Sequence, residues 1–295
     1  MTTERTLVIV NPAAGGGRVA RVWRRLSPDA RRLFPFDEHW TTAPKEATRI
    51  AADAAAAGFD RILAVGGDGT LHEVVNGVAG THLAVGVLPL GTGNDFARSA
   101  GILRAPAPLL EALHRGGTRP IDLGRVHERY YINIAGAGFD AEVARRVNAM
   151  RSKAKGTIPY LMTAVGLAFR YEPPQMTVTL DDGPAMGPEA RLLVAVGNTR
   201  AYGGGMQVCP RAEVDDGLLD VLLVGDVRGW ATLGLLPKVF LGAHLGHPAV
   251  GYVRAHSVRL EGPAGVALHA DGEVLGGLPA TFSVHPAALR LWMPA

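Results

Sequence analysis

Residues 66–70 read Gly-Gly-Asp-Gly-Thr and follow the apolar run Arg61-Ile62-Leu63-Ala64-Val65. A buried strand that delivers three glycines and a carboxylate at its carboxyl end lets backbone N–H groups approach a polyphosphate unobstructed by Cβ atoms. Asp68 is then placed to hold the accompanying Mg²⁺. An isolated Gly-Gly-Asp-Gly is explained equally well as a tight strand-to-helix turn. Here it is one of three similar turns. Thr6-Leu7-Val8-Ile9-Val10 runs into Asn11-Pro12-Ala13-Ala14-Gly15-Gly16-Gly17, and Leu83 to Leu88 runs into Pro89-Leu90-Gly91-Thr92-Gly93-Asn94-Asp95. In a parallel sheet such turns line one edge, so the three are expected to converge on one crevice.

The elements that must position these loops follow from the pattern. Residues 1–120 alternate strand-like and helix-like segments: 6–10 then 18–26, 36–41 then 44–57, 61–65 then 70–79, 83–88 then 94–100, and 106–115. This predicts a doubly wound α/β domain over residues 1–122. From 123 to 295 the signal is mostly strand, at 129–135, 175–180, 190–197, 218–224, 257–260, 265–268, 280–285 and 289–292. Helical insertions interrupt it at about 140–171 and 229–245. A β-rich, sandwich-like second domain is expected, whose last residues are free to return to the first.

At 295 residues with 47% hydrophobic composition the chain has material for two cores. Its single cysteine, Cys209, cannot form an internal disulfide and reads as a buried structural thiol in a reducing compartment. Met1-Thr2-Thr3-Glu4-Arg5 leads straight into a strand, without a signal-peptide core. The apolar stretch from Ala231 to Ala243 contains Pro237 and Lys238 and falls short of the ~20 residues that a bilayer requires. A cytoplasmic protein is expected.

Net charge is +3 and the sequence pI near 9.2. Residues 143–171 hold no acid. They carry Arg145, Arg146, Arg151, Lys153, Lys155 and Arg170 among Met150, Ile158, Tyr160, Leu161, Met162, Leu167 and Phe169. Such a mixture suits an anionic membrane face, and suits equally a solvated helix packed on the core. Nucleic acid is not expected, because aromatic residues are only 6% and no nucleic-acid module is recognisable.

Other motifs point elsewhere and fail. Gly136-Ala137-Gly138-Phe139-Asp140-Ala141 fits a dinucleotide fingerprint, but the ribose-binding acid expected ~20 residues later is missing. A close-packed turn is the better reading. His72-Glu73-Val74-Val75-Asn76 lacks the second histidine of a zinc-protease helix. No glycine run leads into Gly-Lys-Ser/Thr, so phosphate binding must use backbone amides and the Asp68 loop.

Taken together, Asn11 to Gly15, Gly66 to Thr70 with Glu73 and Asn76-Gly77, and Pro89 to Ala97 resemble the diacylglycerol kinase catalytic-domain family, in its soluble bacterial lipid-kinase branch. Asn198 to Gly205, Asp215 to Asp220, and Asp271-Gly272-Glu273 extend the resemblance over nearly the whole chain. Gly-Gly-Asp-Gly-Thr alone is shared with NAD kinases; the Pro-Leu-Gly-Thr-Gly-Asn-Asp block and the late Asp-Gly-Glu are more specific. His72 departs from the family's usual asparagine and is expected to alter a nucleotide contact.

The resemblance implies an ATP- and Mg²⁺-dependent kinase acting on a membrane lipid hydroxyl, most simply that of diacylglycerol. Asn11, Pro12, Ala13, Ala14, Gly15, Thr41, Gly66, Gly67, Asp68, Gly69, Thr70, Glu73 and Thr92 would bind ATP, with Asp68 at the catalytic magnesium. Glu213, Asp216 and Leu218 would hold a structural magnesium, whose water network Asp95 and Asp122 could join. Glu273 would be the general base, although a plain hairpin carboxylate explains it too, and it would have to meet Asp68 across an interdomain cleft. Arg145, Arg146 and Arg151 would face the membrane, which the protein would approach peripherally from the cytoplasmic side; a homodimer is compatible with this. A NAD kinase-like enzyme and a non-catalytic nucleotide- or lipid-binding regulator stay open as alternatives.

Overall fold

A computed structural model describes residues 4–150 and 157–295, without the side chains of 157–159. The chain divides into two compact units, Met1–Leu123 with Pro286–Ala295, and Gly124–His285.

The first unit alternates as its sequence predicts: β1 (Thr6–Val10), α1 (Arg18–Leu33), β2 (Phe36–Trp40), α2 (Glu46–Ala56), β3 (Arg61–Gly66), α3 (Asp68–Val78), β4 (Ala84–Pro89), α4 (Asp95–Ser99) and α5 (Pro106–Arg115). The strands are parallel in the order β2-β1-β3-β4. β1 and β3 are almost wholly buried apolar runs, as a sheet covered on both faces requires. Helix α1 continues to Leu33, well beyond the expected 26, and seats Trp23 and Val19 in a core with Phe34, Leu88 and Leu109.

β5 (Gly117–Val126) leads into the second unit, which continues with β6 (Arg129–Tyr131), β7 (Ile134–Gly138), α6 (Phe139–Ala149), α7 (Thr157–Ala168), β8 (Gln175–Leu180), β9 (Met186–Ala190), β10 (Leu193–Gly197) and β11 (Leu219–Val224). Then come α8 (Trp230–Phe240), β12 (Val250–Ala255), β13 (Ser257–Glu261), β14 (Ala267–Ala270), β15 (Glu273–Gly277) and β16 (Ala280–Met293). One antiparallel sheet runs β12-β11-β10-β7-β14-β15. Facing it are β9, β8, β13 and the first half of β16. Val194, Val196, Val221 and Leu268 of the first sheet share a core with Val178, Val258, Leu260 and Phe282 of the second. The other face of the first sheet is covered by α6, α7 and α8 through Phe139, Val143, Ala164, Leu167 and Leu235.

The expected strands 280–285 and 289–292 are one continuous strand, β16, whose end pairs in parallel with β4 inside the first unit. Trp292 anchors it there: its Nε1 donates to Leu113 O at 2.9 Å, and it fills the space beside Gly86, where a Cβ would come within 2.8 Å of the indole. The close-packed turn expected at Gly136-Ala-Gly138 is found at Gly138, which ends β7 with a φ of 115° at the start of α6 and whose Cβ would meet Leu192 O at 2.6 Å, whereas Gly136 lies inside the strand. A Cβ on Gly136 would sit 2.5 Å from Val194 O, so the close approach is of β10 against β7. β12 and β15 had no clear strand signal, because half of the β12 residues are exposed and β15 ends in two glycines.

Candidate active site

The three glycine loops of the first unit are bonded to one another. Asn11 donates from Nδ2 to Thr70 Oγ1 at 3.0 Å, and its Oδ1 accepts the Ala13 N–H at 3.1 Å. Leu90 and Gly91 donate their backbone N–H groups to Gly66 O at 2.7 and 3.0 Å. Arg18 reaches Leu90 O at 3.3 Å. Gly15, Gly16 and Gly17 all have positive φ (58°, 64° and 87°), a conformation that costs side-chain-bearing residues strain. A Cβ on Gly91 would lie 2.4 Å from Gly67 Cα, so the second and third loops pass closer than any other residue allows. The result is a cradle of main-chain groups at the start of α3, whose N-terminal end favours anions.

Two carboxylates border this cradle. Asp68 lies in the first turn of α3, and its Oδ1 accepts the Phe96 N–H at 3.1 Å. Asp95, buried and paired with Arg98 at 2.9 Å, is its neighbour: a Cβ on Gly93 would be 3.1 Å from Asp68 Oδ2 and 3.1 Å from Asp95 Oδ2. Hard oxygen donors beside a phosphate cradle fit the magnesium of Mg·ATP. Asn94, which the motif contains but which had no assigned role, pins the third loop by accepting the Gly91 N–H and donating to Pro89 O and Gly91 O. Thr92 is exposed at the tip of that loop, and Gly69 is exposed at the start of α3.

The remaining expected residues of this unit are spread out. Thr41 closes β2 by bonding Val10 O, at the end of the strand that precedes the Asn11 loop. Pro12 and Ala14 are half-buried within that loop. Glu73 instead turns to α2, where its Oε2 accepts the Ala47 N–H at 3.2 Å and its carbonyl accepts Thr48 Oγ1. His72, expected to alter a nucleotide contact, is buried against Asn76 on α3. Asp122 is buried and accepts the Ala287 N–H at 2.8 Å, which fastens the returning β16.

In the second unit Asp271 and Gly272 form the tight turn between β14 and β15, with φ of 47° and 83°. The Asp271 carboxylate accepts three backbone N–H groups, from Ile132 (2.9 Å), Asn133 (2.9 Å) and Ile134 (3.2 Å). Asn148 donates to Gly272 O. Glu273, the first residue of β15 and half-buried, therefore projects from a turn fixed on both sides.

Behind this hairpin is a buried polar cluster that sequence reasoning missed. Asp140 Oδ2 accepts from His269 Nε2 at 2.9 Å and from the Tyr202 hydroxyl at 3.2 Å. The Tyr160 hydroxyl donates to Asp140 O, and Tyr202 stacks on His269 at 5.6 Å. Burial pushes the Tyr160 and Tyr202 hydroxyls well above their ordinary pKa, and the Asp140 charge adds to the effect. Nothing in a sequence announces a pair 129 residues apart. Asp140, Tyr160 and Tyr202 line one part of a partly open cavity, which is otherwise almost wholly apolar, with Phe139, Leu222, Leu235 and Val239 in its wall.

The expected structural-magnesium loop has a mixed character. Asp216 Oδ1 accepts the Leu218 N–H at 3.1 Å, while its Oδ2 is buried, makes no hydrogen bond and lies 3.3 Å from Arg254 Nη2. A buried carboxylate oxygen without a hydrogen bond fits a magnesium ion, with Arg254 as its competitor. Among the described residues no three His, Cys, Asp or Glu side chains are grouped to hold a metal, so such a site would rely on backbone oxygens of Glu213 and Leu218. Nearby, Asp220 is raised above its usual range by burial, partly offset by Tyr252, and Cys209 is fully buried with its thiol pushed well up.

The acid-free run beginning at 143 has its counter-ion immediately before it. Glu142 pairs with Arg145 and Arg146, at 2.7 Å each, which lowers its own pKa. Their charges are partly neutralised on α6, while both side chains remain exposed. Arg151 lies outside the described residues.

Residues 5–126 match the diacylglycerol kinase catalytic domain, and residues 133–293 match the YegS C-terminal NAD kinase beta sandwich-like domain. A protein of Mycobacterium tuberculosis named diacylglycerol kinase is 34% identical over 95% of this chain and 90% of its own length. A Pseudomonas aeruginosa protein named "probable lipid kinase YegS-like" is 35% identical over 100% and 96%. The crystal structure of a Bacillus anthracis str. Sterne protein assigned as a diacylglycerol kinase superimposes with a TM-score of 0.83 at 25% identity, covering 99% of this chain and 95% of that one.

Proposed function

The chain belongs to the diacylglycerol kinase family of lipid kinases, and from that premise we propose that it transfers the γ-phosphate of ATP to a membrane lipid hydroxyl, that of diacylglycerol giving phosphatidic acid. The observation that carries this reading is the bonded convergence of three glycine loops around Asp68 and Asp95. The apolar cavity of the second unit supports a lipid rather than a polar acceptor, since few polar groups line it.

Phosphoryl transfer asks for positioning and charge stabilisation more than for covalent chemistry. The main-chain amides of the Asn11, Gly66 and Gly91 loops would hold the phosphates, and Asp68, with Asp95 beside it, would hold a magnesium ion, which when bound would supply charge neutralisation. The lipid hydroxyl oxygen attacks the γ-phosphorus as the bond to the β-bridging oxygen breaks and ADP leaves. Glu273 takes the hydroxyl proton; its carboxylate stands on a turn fixed by Asp271, so little reorganisation accompanies the step. The structural magnesium, on Asp216 and the carbonyls of Glu213 and Leu218, would stiffen the loop preceding β11 without entering the chemistry. No helix among the described residues is long and apolar enough to cross a membrane. We place the lipid substrate in the bilayer surface, met peripherally from the cytoplasmic side.

Purified protein incubated with radiolabelled Mg·ATP and diacylglycerol, phosphatidylglycerol, ceramide or a sphingoid base in mixed micelles, beside NAD as acceptor, tests this. Label in phosphatidic acid is expected. Label in NADP instead would replace the lipid-kinase reading, and label in no acceptor would leave a binding protein.

A further inference from the structure

Helices α7 and α8 present two opposite apolar faces. Inward, Tyr160 and Ala164 of α7 and Leu235, Leu236 and Val239 of α8 line the apolar cavity of this unit. Outward, the same helices and their ends expose Met162 (71%), Val165 (41%) and Phe169 (52%), and Trp230 (80%) and Leu241 (81%). Phe169 and Trp230 meet edge to face, with ring centroids 5.1 Å apart, so the two outer faces join in one patch. Trp23 and Trp292, by contrast, are fully buried. A large exposed tryptophan is therefore a local choice rather than a general feature of this chain.

We propose that the outer face of α7 and α8 is the surface that enters a lipid bilayer. The proposal rests on the lipid-kinase reading. Three observations favour a bilayer over a second copy or another protein. The exposed residues include a tryptophan beside phenylalanine, methionine and leucine, the composition of an interfacial anchor. Neither helix contains an acidic residue, while exposed Arg170 and Lys238 stand at the ends of the patch, where anionic headgroups would meet them. The cavity wall and the patch are the two sides of the same helix pair, so a bilayer against the patch would lie one helix layer from the cavity.

Trp230 supplies its own probe. On adding vesicles of phosphatidylglycerol and phosphatidylcholine, indole emission should shift to the blue, and Trp230→Phe should abolish that shift while Trp40, half-buried elsewhere, remains. The triple variant Met162→Gln, Trp230→Gln, Leu241→Gln alters only exposed positions. It should sediment with vesicles at least about tenfold less. Its kcat on dioctanoylglycerol as a soluble acceptor should match the wild type, which also reports that it is folded. Vesicle binding equal to wild type would overturn the proposal. So would a wild-type dimer that the variant dissolves, since the patch would then be an interface between copies. If the wild type binds vesicles through Trp230 but phosphorylates no lipid, the docking surface stands and the lipid-kinase reading fails.

Discussion

Asn11 Nδ2 donates to Thr70 Oγ1 across 3.0 Å, joining the loop after β1 to the first turn of α3. The bond is 59 residues long in sequence and holds the first two glycine loops at a fixed separation. Asn11→Ala should cost roughly 0.5–1.5 kcal/mol of stability and weaken ATP binding. Calorimetric titration with ATP checks the second effect. Unchanged affinity would place the Asn11 loop outside the nucleotide site.

Asp68→Asn preserves an acceptor for the Phe96 N–H but removes the charge beside Asp95. Transfer should fall by about 10²–10³-fold, as for other lost electrostatic contacts at a developing charge. The circular dichroism spectrum and melting temperature should stay close to wild type. Near-full activity in the variant would mean that Asp68 serves the turn alone.

Glu273 and Asp271 should separate by readout. Glu273→Gln removes a proton acceptor and should lower kcat by ~10²–10⁴-fold with ATP affinity intact. Asp271→Ala leaves three backbone donors of Ile132 to Ile134 unpaired, so it should destabilise the second unit by about 1–3 kcal/mol or more. Denaturant melts and steady-state rates on both variants test the division. A Glu273→Gln enzyme that turns over normally would make the glutamate a turn residue.

Magnesium without nucleotide should raise the unfolding temperature if Asp216 Oδ2 takes the ion as a ligand. Asp216→Asn should abolish that response, and Arg254→Gln, by removing the competing guanidinium, should strengthen it. A melting temperature indifferent to EDTA and magnesium in the wild type would show that Arg254 alone compensates this loop.

Glu142 gives a pH dependence of known sign. Its hydrogen bonds to Arg145 and Arg146 depress its pKa in the folded chain below the ordinary 4.5. Its contribution is therefore present above pH 4.5 and lost as the pH falls through the folded value. The gap in melting temperature between wild type and Glu142→Gln should be constant near neutrality and close in acid.

The sequence by itself determined the first unit and its loops. Strand–glycine–helix succession is local: apolar runs such as Ile62 to Val65 set the strands, and glycines at 15, 66 and 91 mark where only a missing Cβ fits, so the site could be read from types and spacing. The Asp271-Gly272 hairpin was legible for the same reason. Tertiary structure alone decided the rest. Whether Glu73 faces a nucleotide or α2, and whether His72 is exposed or buried, depends on which helix packs beside α3. That β16 runs unbroken from Ala280 to Met293 follows from two different neighbours, β13 for its first half and β4 for its last residues, and composition around Pro286 signals neither. The Asp140–His269 pair and the exposure of Trp230 are likewise products of long-range packing. Side chains far apart in the chain acquire their burial, and with it their charge and partners, only once the sheets have closed around them.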